Sequence, residues 1–251
     1  NIDTASLHAV VDSGVITEEL QIAASNHNLF FPLDLGARGS CQIGGNIATN
    51  AGGIKFIRYG GMREQVLGLE VVLATGEVLD LNHCLYKNNT GYDLKHLFIG
   101  SEGSLGIITK ATLKLRSKPQ DLTVALFASK SFNQLLALLR QVHKSQISLT
   151  AFEFFDEACY HEVKLKQKKP WSVFSNSHPF YALIETDSSF NNLEPFIEKV
   201  FETNSAEDGV LSTNSQEFQQ IWQLRENITE SLHSFSFVHK NDISVPTAKL
   251  I

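Results

Sequence analysis

The sequence has few cysteines, and they form no motif. Cys41, Cys84 and Cys159 are the three cysteines in 251 residues, and no C-x-x-C pair occurs. An odd number of widely spaced cysteines is not typical of a disulfide-stabilised secreted domain, so we expect a reducing compartment. The nine histidines form no H-E-x-x-H or other helical zinc spacing. We therefore predict no metal site within this chain.

Charge and long apolar runs are also limited. Charged residues make up 19% of the chain and the net charge is −6, with no basic stripe of the kind that binds nucleic acid. No apolar run approaches the ~20 residues that span a bilayer, so we predict no transmembrane segment. The 43% hydrophobic content is that of a globular protein. At ~100–200 residues per domain, the length allows one large domain or two modest ones.

The two ends of the sequence suggest a piece of a longer protein. The first residue is Asn1, and no charged segment followed by an apolar segment marks a signal peptide. The last residue, Ile251, follows closely after a predicted strand and a proline. We expect any missing parts to matter for every function that the sequence suggests.

The first half of the chain predicts a β-rich domain. Residues 7–11 predict a strand, and Thr17 is placed to cap a helix that runs to about Asn28. Two β-rich runs, 69–73 and 78–81, flank a turn that contains a glycine and predict a hairpin. Residues 107–116 alternate strictly, with Ile107, Thr109, Ala111, Leu113 and Leu115 on one face. The stretch 117–120 ends that strand, and we place a boundary there between domains 1–118 and 119–251.

The second half alternates strands and helices. The predicted strands are 122–128, 148–154, 180–185 and 209–213, and helices are expected after Ser131, from Asp156 and over 192–203. This order predicts a ferredoxin-like antiparallel α+β domain with helices on one side of its sheet. A last helix, about 216–233, leads into a predicted strand at 237–245.

The last helix has the residues best suited to bind a ligand. Trp222, Arg225 and Thr229 are spaced to lie on one helical face, and Lys240 follows on the predicted strand. The planar Arg225 fork suits a carboxylate, and Thr229 adds a hydroxyl donor. A plain surface with an ion pair from Arg225 to Glu226 or Glu230 explains the same residues, and taken alone that interpretation is favoured.

A glycine-rich segment is the most unusual part of the composition. Eight of the sixteen glycines lie between Gly36 and Gly61. Gly39 and Gly44 have the spacing of a phosphate-binding P-loop, but Gly45 occupies the position of its lysine, and no G-x-G occurs in the chain. Composition alone therefore leaves two interpretations equal: a tight structural loop, or a cradle for an anion such as a pyrophosphate.

Several segments, in the same order, resemble the vanillyl-alcohol oxidase superfamily, whose FAD-binding domain is of the PCMH type. They are 32–36 (PLDLG), 44–53 (GGNIATNAGG), 89–94 (NTGYDL), 100–109 (GSEGSLGIIT), 151–154 (AFEF), 224–226 (LRE), and Lys240 with Asp242. The resemblance is strongest to the D-2-hydroxyglutarate dehydrogenases and extends to D-lactate dehydrogenases and glycolate oxidase flavoproteins. It implies the second part of a PCMH-type FAD-binding domain, followed by a ferredoxin-like substrate (cap) domain.

The resemblance also implies the cofactor and the residues that hold it. Members oxidise a D-2-hydroxy acid to the 2-oxo acid, with FAD as the hydride acceptor, so an FAD-dependent dehydrogenase is expected. The residues implied in cofactor binding are Pro32, Asp34, Gly39, Ser40, Cys41, Ile43, Gly44, Gly45, Asn46, Ala48, Thr49, Asn50, Gly53, Glu102, Gly103, Ile107 and Ile108. Arg225, Thr229 and Lys240 match positions that hold substrate carboxylates, which reverses the surface interpretation of the last helix.

The family pattern implies further parts outside this sequence. On this pattern the family's own pyrophosphate-binding loop precedes Asn1, and a divalent metal, expected to be zinc, is bound by residues beyond Ile251. The resemblance therefore implies that residues 1–251 alone are inactive and bind FAD weakly or not at all. The expected partners are a small 2-hydroxy acid and an electron acceptor, namely a flavoprotein, a cytochrome or a quinone. A homodimer is possible on this pattern, and the expected location is the bacterial cytoplasm or, alternatively, the mitochondrial matrix.

Two other functions stay open on the sequence. A monocarboxylate substrate, D-lactate or glycolate, uses the same chemistry as D-2-hydroxyglutarate. A flavin-fold module without catalysis is the alternative of another class. The two cations and one hydroxyl of Arg225, Lys240 and Thr229 argue against that module, because a chain without turnover has no evident need for them.

Overall fold

The computed structural model describes residues 1–167, 173–188 and 190–250. The chain separates into two compact units, Asn1–Pro119 and Gln120–Ile251. We refer to them as the first unit and the second unit. The alternation of strands and helices in both makes the fold α+β.

The first unit contains a five-stranded antiparallel sheet with the order β1-β2-β6-β4-β5. Its strands are β1 Ile2–Asp3, β2 His8–Asp12, β4 Val66–Val72, β5 Val78–Asp80 and β6 Ile107–Lys114. A separate pair joins β3, Leu29–Phe30, to β7, Arg116–Ser117. The helices are α1 Thr17–Ser25, α2 Ile43–Ala48, α3 Phe56–Tyr59, α4 Met62–Gln65 and α5 Lys95–Phe98. The predicted hairpin is confirmed as β4 and β5.

The start of α1 differs from the prediction. Ile16, not Thr17, is the N-cap residue, and Thr17 is the first helical residue. The Thr17 hydroxyl instead donates to the Cys41 carbonyl oxygen at 3.2 Å, while its backbone N–H donates to the same oxygen at 3.0 Å. The helix ends at Ser25 because Asn28 turns the chain with φ at 56°.

Strict alternation along β6 is wrong at its first residues. Ala111 and Leu113 are fully buried as predicted, but Ile107 is 63% exposed and Ile108 is buried. The pairing with β4 advances by two residues on β6 where it advances by one on β4, which leaves Thr109 as a bulge. One extra residue moves every side chain before it to the opposite face.

The second unit contains a four-stranded antiparallel sheet with the order β11-β8-β10-β9. Its strands are β8 Leu122–Ser129, β9 Leu149–Asp156, β10 Phe180–Asp187 and β11 Asp208–Leu211. Its helices are α6 Phe132–Lys144, α7 Glu157–Lys166, α8 Phe190–Glu202, α9 Ser215–Glu226 and α10 Ile228–Leu232, with a short 3-10 turn at Thr247–Lys249. Taken in chain order the strands read 4-1-3-2, which confirms the ferredoxin-like prediction.

Helices cover both faces of this sheet, so their prediction on one side is wrong. Ala125, Phe127 and Ile184 pack in one core cluster with side chains of α6 and α8. Glu185 follows Ile184 and points to the opposite face, where it accepts a hydrogen bond from Trp222 on α9. The last helix therefore packs on the face that α6 and α8 leave open.

The end of the second unit is less regular than predicted. The predicted helix 216–233 is divided at Asn227 into α9 and α10. Residues 237–245, predicted as a strand, pair with no other strand in the described part of the chain. A β-rich composition is insufficient without a neighbouring strand to complete the hydrogen bonds. Lys240 therefore lies on an irregular segment.

Candidate functional site

The two segments that the sequence assigns to cofactor binding meet in the first unit at the end of α2. The Gly100 and Glu102 N–H groups donate to the Ile47 and Ala48 carbonyl oxygens at 3.1 and 2.9 Å. These carbonyls belong to the last turn of the helix and need donors from outside it. The segments 32–53 and 100–108 therefore form one continuous surface feature.

Glycine in this region has two different uses. A Cβ added at Gly53 would lie 2.0 Å from the Asp34 carbonyl oxygen, and one at Gly44 would lie 2.6 Å from the Ser13 Cβ. These two glycines let neighbouring chain segments touch. A Cβ added at Gly45 or Gly103 would meet nothing within 4 Å. Gly45 and Gly103 present bare backbone to open space, which is the property a ligand cradle requires.

The predicted cofactor residues differ in how much they face solvent. Exposed are Gly39, Ser40, Gly45, Thr49, Glu102, Gly103 and Ile107. Half-buried are Asp34, Cys41, Gly44, Ala48, Asn50 and Gly53. Buried are Pro32, Ile43, Asn46 and Ile108. The exposed group is the one able to touch a ligand directly, and the buried group can act only by shaping the segment.

Several polar side chains among the predicted cofactor residues form hydrogen bonds or ion pairs with other residues of the chain. The Asn46 amide donates to the Thr17 hydroxyl at 2.7 Å and to Cys41 Sγ at 3.4 Å, below the surface. Asp34 pairs with Arg38 at 3.3 Å, and the Thr49 hydroxyl donates to the Gly45 carbonyl at 3.0 Å. These contacts fix the shape of the glycine-rich segment.

Two residues at the meeting point adopt a left-handed backbone. Asn50 has φ at 49° and Glu102 has φ at 51°. Asparagine tolerates this conformation, but glutamate does so rarely. The backbone bond from Glu102 to Ala48 holds it there, and Gly103 follows with φ at 79°. Strained backbone of this kind is common at binding sites.

Arg63 organises this region and was missed in the sequence. Its backbone N–H donates to Asn50 Oδ1 at 3.0 Å, and its guanidinium donates to the His96 and Ile99 carbonyls at 2.9 and 2.6 Å. Through its backbone N–H and its guanidinium, this one residue links the loop after α2 to the helix α5 and the residue that follows it. No motif marks Arg63, because its partners are backbone carbonyls more than 30 residues away in sequence.

A separate cavity of about 410 Å³ lies in the first unit. It is lined in part by Thr90–Leu94 of the NTGYDL segment, and the cations Arg63, Lys95 and Lys114 also line it. Burial and the neighbouring charges of Arg116 and Lys95 lower the pKa of Lys114. Lys95 forms an ion pair with Asp93, so the positive charge of the lining cations is only partly neutralised.

In the second unit, Arg225 contacts a carboxylate that the sequence had not paired with it. Its Nε lies 2.7 Å from Glu153 Oε2, and the two side chains are 31% and 21% exposed. The surface interpretation had named Glu226 or Glu230 as the partner. Glu153 was visible in the sequence as an acid between Phe152 and Phe154, inside the AFEF segment.

Trp222, one turn before Arg225, is held by another carboxylate of the sheet. Its indole Nε1 donates to Glu185 Oε2 at 3.0 Å, and the Thr150 hydroxyl donates to Glu185 Oε1 at 2.5 Å. Glu185 is 1% exposed and Trp222 is 6% exposed. This buried group fixes α9 against the sheet, so Trp222 has a structural position rather than a place on a ligand-facing surface.

The other two predicted substrate anchors lie after α9. Thr229 is exposed on α10, beyond the break at Asn227, and not on the helix of Arg225. Lys240 is exposed, with its Nζ 3.0 Å from His233 Nε2. Their use as anchors stays a prediction.

A cysteine lies close to Arg225. Burial raises the pKa of the Cys159 thiol to about 11, the hydrogen bond with Asp156 adds to this, and the Arg225 charge opposes it. Asp156 is itself the N-cap of α7, where Oδ1 accepts from the Cys159 N–H at 2.9 Å. The Asp156 carboxylate is therefore committed to the helix start.

Over the residues that the structure describes, no group of three or more His, Cys, Asp or Glu side chains is arranged to hold a metal ion. Within the same ranges, no helix is long and apolar enough to cross a membrane.

Two family models match the chain. Residues 1–82 match the FAD binding domain, and residues 118–251 match the C-terminal domain of the FAD linked oxidases. The two matched ranges fall in the first and the second unit and include most of the predicted site residues. Glu102, Gly103, Ile107 and Ile108 lie between them.

Curated relatives are similar in sequence to nearly the whole chain. The mitochondrial D-2-hydroxyglutarate dehydrogenase of Rattus norvegicus is 42% identical over 96% of this chain and 46% of its own length. The D-2-hydroxyglutarate dehydrogenase of Xanthomonas citri pv. viticola is 44% identical over 94% of this chain and 50% of its own. The chain thus spans about half the length of the curated relatives it matches.

Solved structures share the fold. Alkyldihydroxyacetonephosphate synthase matches with a TM-score of 0.69 at 20% identity, over 93% of this chain and 44% of that one. A second structure of the same enzyme gives a TM-score of 0.73 at 19% identity. Identities this low describe architecture and carry no information about the substrate.

Proposed function

Because the chain belongs to the FAD-linked oxidases, we propose that the complete protein is an FAD-dependent dehydrogenase of D-2-hydroxy acids. The substrate that we propose is D-2-hydroxyglutarate, which is oxidised to 2-oxoglutarate. The observation that carries this proposal is the partly exposed Arg225, which lies in a chain over 40% identical to D-2-hydroxyglutarate dehydrogenases.

The first unit supplies residues that fit a flavin. Gly45 and Gly103 leave open space where a side chain would otherwise project. Close after Gly103 in sequence, the side chain of Ile107 is 63% exposed and that of Leu105 is 51% exposed. Bare backbone suits the polar parts of FAD, and exposed apolar side chains suit its ring. Bound FAD supplies the two-electron chemistry that no side chain of this chain provides.

The second unit supplies residues that fit the substrate. Arg225 offers paired N–H donors to a carboxylate, and its position is fixed from behind by Glu153. Lys240 adds a second cation, which a dicarboxylate such as 2-hydroxyglutarate requires at its other end. Thr229 adds a hydroxyl donor. These residues bind and orient the acid, and orientation is a major part of catalysis.

The remaining partners follow from the same proposal. We infer an electron acceptor that is a flavoprotein, a cytochrome or a quinone, and a possible homodimer. The relatives include a protein named mitochondrial and a bacterial one, so the proposed location is the bacterial cytoplasm or, alternatively, the mitochondrial matrix. A divalent metal, zinc in our proposal, is bound by residues outside this chain.

The visible spectrum of the complete protein tests the proposal. We expect a bound flavin that bleaches when D-2-hydroxyglutarate is added without oxygen. A flavin that stays oxidised with this acid but bleaches with D-lactate or glycolate would move the assignment to a monocarboxylate. A protein that binds no flavin after reconstitution would contradict the proposal and favour a module without catalysis.

A further inference from the structure

Glu153 is an acid in an apolar strand, and the structure shows what it faces. On β9 it is flanked by Phe152 and Phe154, and it pairs across the sheet with Leu183. Its carboxylate is mostly buried, with 21% of the side chain exposed, and it contacts Arg225 Nε at 2.7 Å. A carboxylate withdrawn from water in this way is costly unless its partner is well aligned.

The contact uses a particular part of the arginine. A guanidinium has five N–H donors in one plane, and the Nη1 and Nη2 pair forms a fork that matches a carboxylate. Among the described residues, the guanidinium of Arg225 is bound through Nε. Glu153 therefore fixes the orientation of the plane and leaves the Nη fork to a ligand.

A second contact, separate from this pair, also holds α9 against the sheet. One turn earlier, Trp222 is already bound to the buried Glu185, which also accepts from Thr150. The other nearby acid, Asp156, caps α7. Glu153 caps no helix in the described part of the chain, and its side chain contacts Arg225, so its most direct effect is on the orientation of that side chain.

We propose that Glu153 is a positioning residue for substrate binding, an inference that rests on the proposed function. It accepts from Arg225 Nε and restricts the rotation of the guanidinium, so that the Nη fork faces a carboxylate of the 2-hydroxy acid. Its charge also neutralises part of the Arg225 charge. Binding then depends on the geometry of the fork more than on general attraction of anions.

The test compares Glu153→Ala, Glu153→Gln and Glu153→Asp in the complete flavoprotein, with anaerobic and steady-state assays on D-2-hydroxyglutarate. Because hydrogen bonds to charged groups are substantial, we expect Glu153→Ala to raise KM about tenfold or more. We expect kcat to change less than KM, and the FAD content to stay that of the wild type. Glu153→Gln keeps an oxygen in reach of Nε and should recover most of the affinity, whereas the shorter Glu153→Asp should not.

Glu207→Ala is the matched control. Glu207 forms a 2.8 Å ion pair with Lys130 in the same unit and is 34% exposed, but it contacts no predicted site residue. The KM of the Glu207→Ala variant should equal that of the wild type. If the wild type bleaches with substrate and the KM of Glu153→Ala lies within twofold of the KM of Glu207→Ala, the positioning role alone is overturned. A wild type that binds flavin and never bleaches with any 2-hydroxy acid would overturn both proposals. If Glu153→Ala does not fold, the contrast between Glu153→Gln and Glu153→Asp decides.

Discussion

The two units prepare for a ligand in different ways. In Asn1–Pro119 the predicted cofactor segment presents glycine backbone at Gly45 and Gly103, and its polar side chains are bound within the protein. In Gln120–Ile251 the predicted substrate anchors are side chains, and one of them, Arg225, is held by a carboxylate of the sheet.

This difference matches the two chemical tasks. A large cofactor with a pyrophosphate and a flat ring is bound by shape, and small residues let the backbone approach it. A small acid is bound by few contacts, so each donor must be oriented. Substitutions in the first unit should therefore affect folding and cofactor retention, and those in the second should affect affinity for the acid.

The sharpest contrast lies within the first unit, between Gly53→Ala and Gly45→Ala. At Gly53 the new methyl group would lie 2.0 Å from the Asp34 carbonyl oxygen, so the backbone must move. We expect a loss of about 3 kcal/mol or more in the free energy of unfolding, or no soluble protein.

Gly45→Ala is the matched control, because its methyl group enters open space. Alanine favours a helix over glycine by roughly 0.5–1 kcal/mol, so α2 should become slightly more stable while FAD is lost more easily. Urea unfolding of the apo form and the flavin content after dialysis measure both effects. Equal stability of the two variants would contradict the division between structural and open glycines.

Trp222→Phe separates the two carboxylate contacts of α9. It removes the indole N–H from the buried Glu185, and we expect a loss of about 1–3 kcal/mol in unfolding free energy from the unpaired carboxylate, with a further loss from the space that the smaller ring leaves. Glu153→Ala affects a pair that is partly exposed and leaves Arg225 with access to solvent, so its cost should be smaller than that of Trp222→Phe. Denaturant unfolding of both variants, followed by near-UV circular dichroism, measures the difference. The reverse order of stabilities would show that the Arg225 pair holds the helix.

Lys240→Ala sharpens the choice of substrate. If Lys240 binds the second carboxylate, its loss should raise KM for D-2-hydroxyglutarate about tenfold or more, and KM for D-lactate far less. Lys199→Ala removes another exposed lysine of the second unit, which pairs with Glu202 at 3.0 Å, and should change neither value. Equal losses on both acids with Lys240→Ala would refute its assignment as the distal anchor.

The smallest expected effect concerns Cys159. Its thiol has a pKa raised to about 11 by burial, then by Asp156, and Arg225 opposes the increase. The thiol should therefore stay protonated and be alkylated slowly near neutral pH. Replacing Arg225 with glutamine should raise the pKa further, which shifts the pH profile of alkylation upward. An unchanged profile would show that the Arg225 charge does not act on Cys159.

Much of the fold follows from local sequence patterns. The helix after Ser131 was predicted, and Ser131 Oγ accepts from the Gln134 N–H at 3.3 Å at the start of α6. The hairpin of β4 and β5 was predicted from two β-rich runs and the glycine turn between them. The bulge at Thr109 was not, because it depends on how β6 pairs with a strand nearly 40 residues away.

The site was predictable in its residue types and less so in its contacts. Arg225 was identified, but its partner Glu153 lies 72 residues earlier, on a strand whose packing against α9 no local pattern specifies. Arg63 was missed for the same reason. Residues 237–245 have a strand-like composition but no strand to pair with in the described structure, so propensity alone misplaced Lys240.

One spectrum tests the central claim most directly: that of complete Arg225→Gln protein, recorded before and after anaerobic addition of D-2-hydroxyglutarate. The account predicts a flavin content equal to that of the wild type, because cofactor and substrate are bound by different units. It also predicts that this flavin stays oxidised at substrate concentrations that bleach the wild type. Loss of the flavin would contradict the proposed division of cofactor and substrate binding between the two units, and bleaching at wild-type concentrations would contradict the proposed role of Arg225.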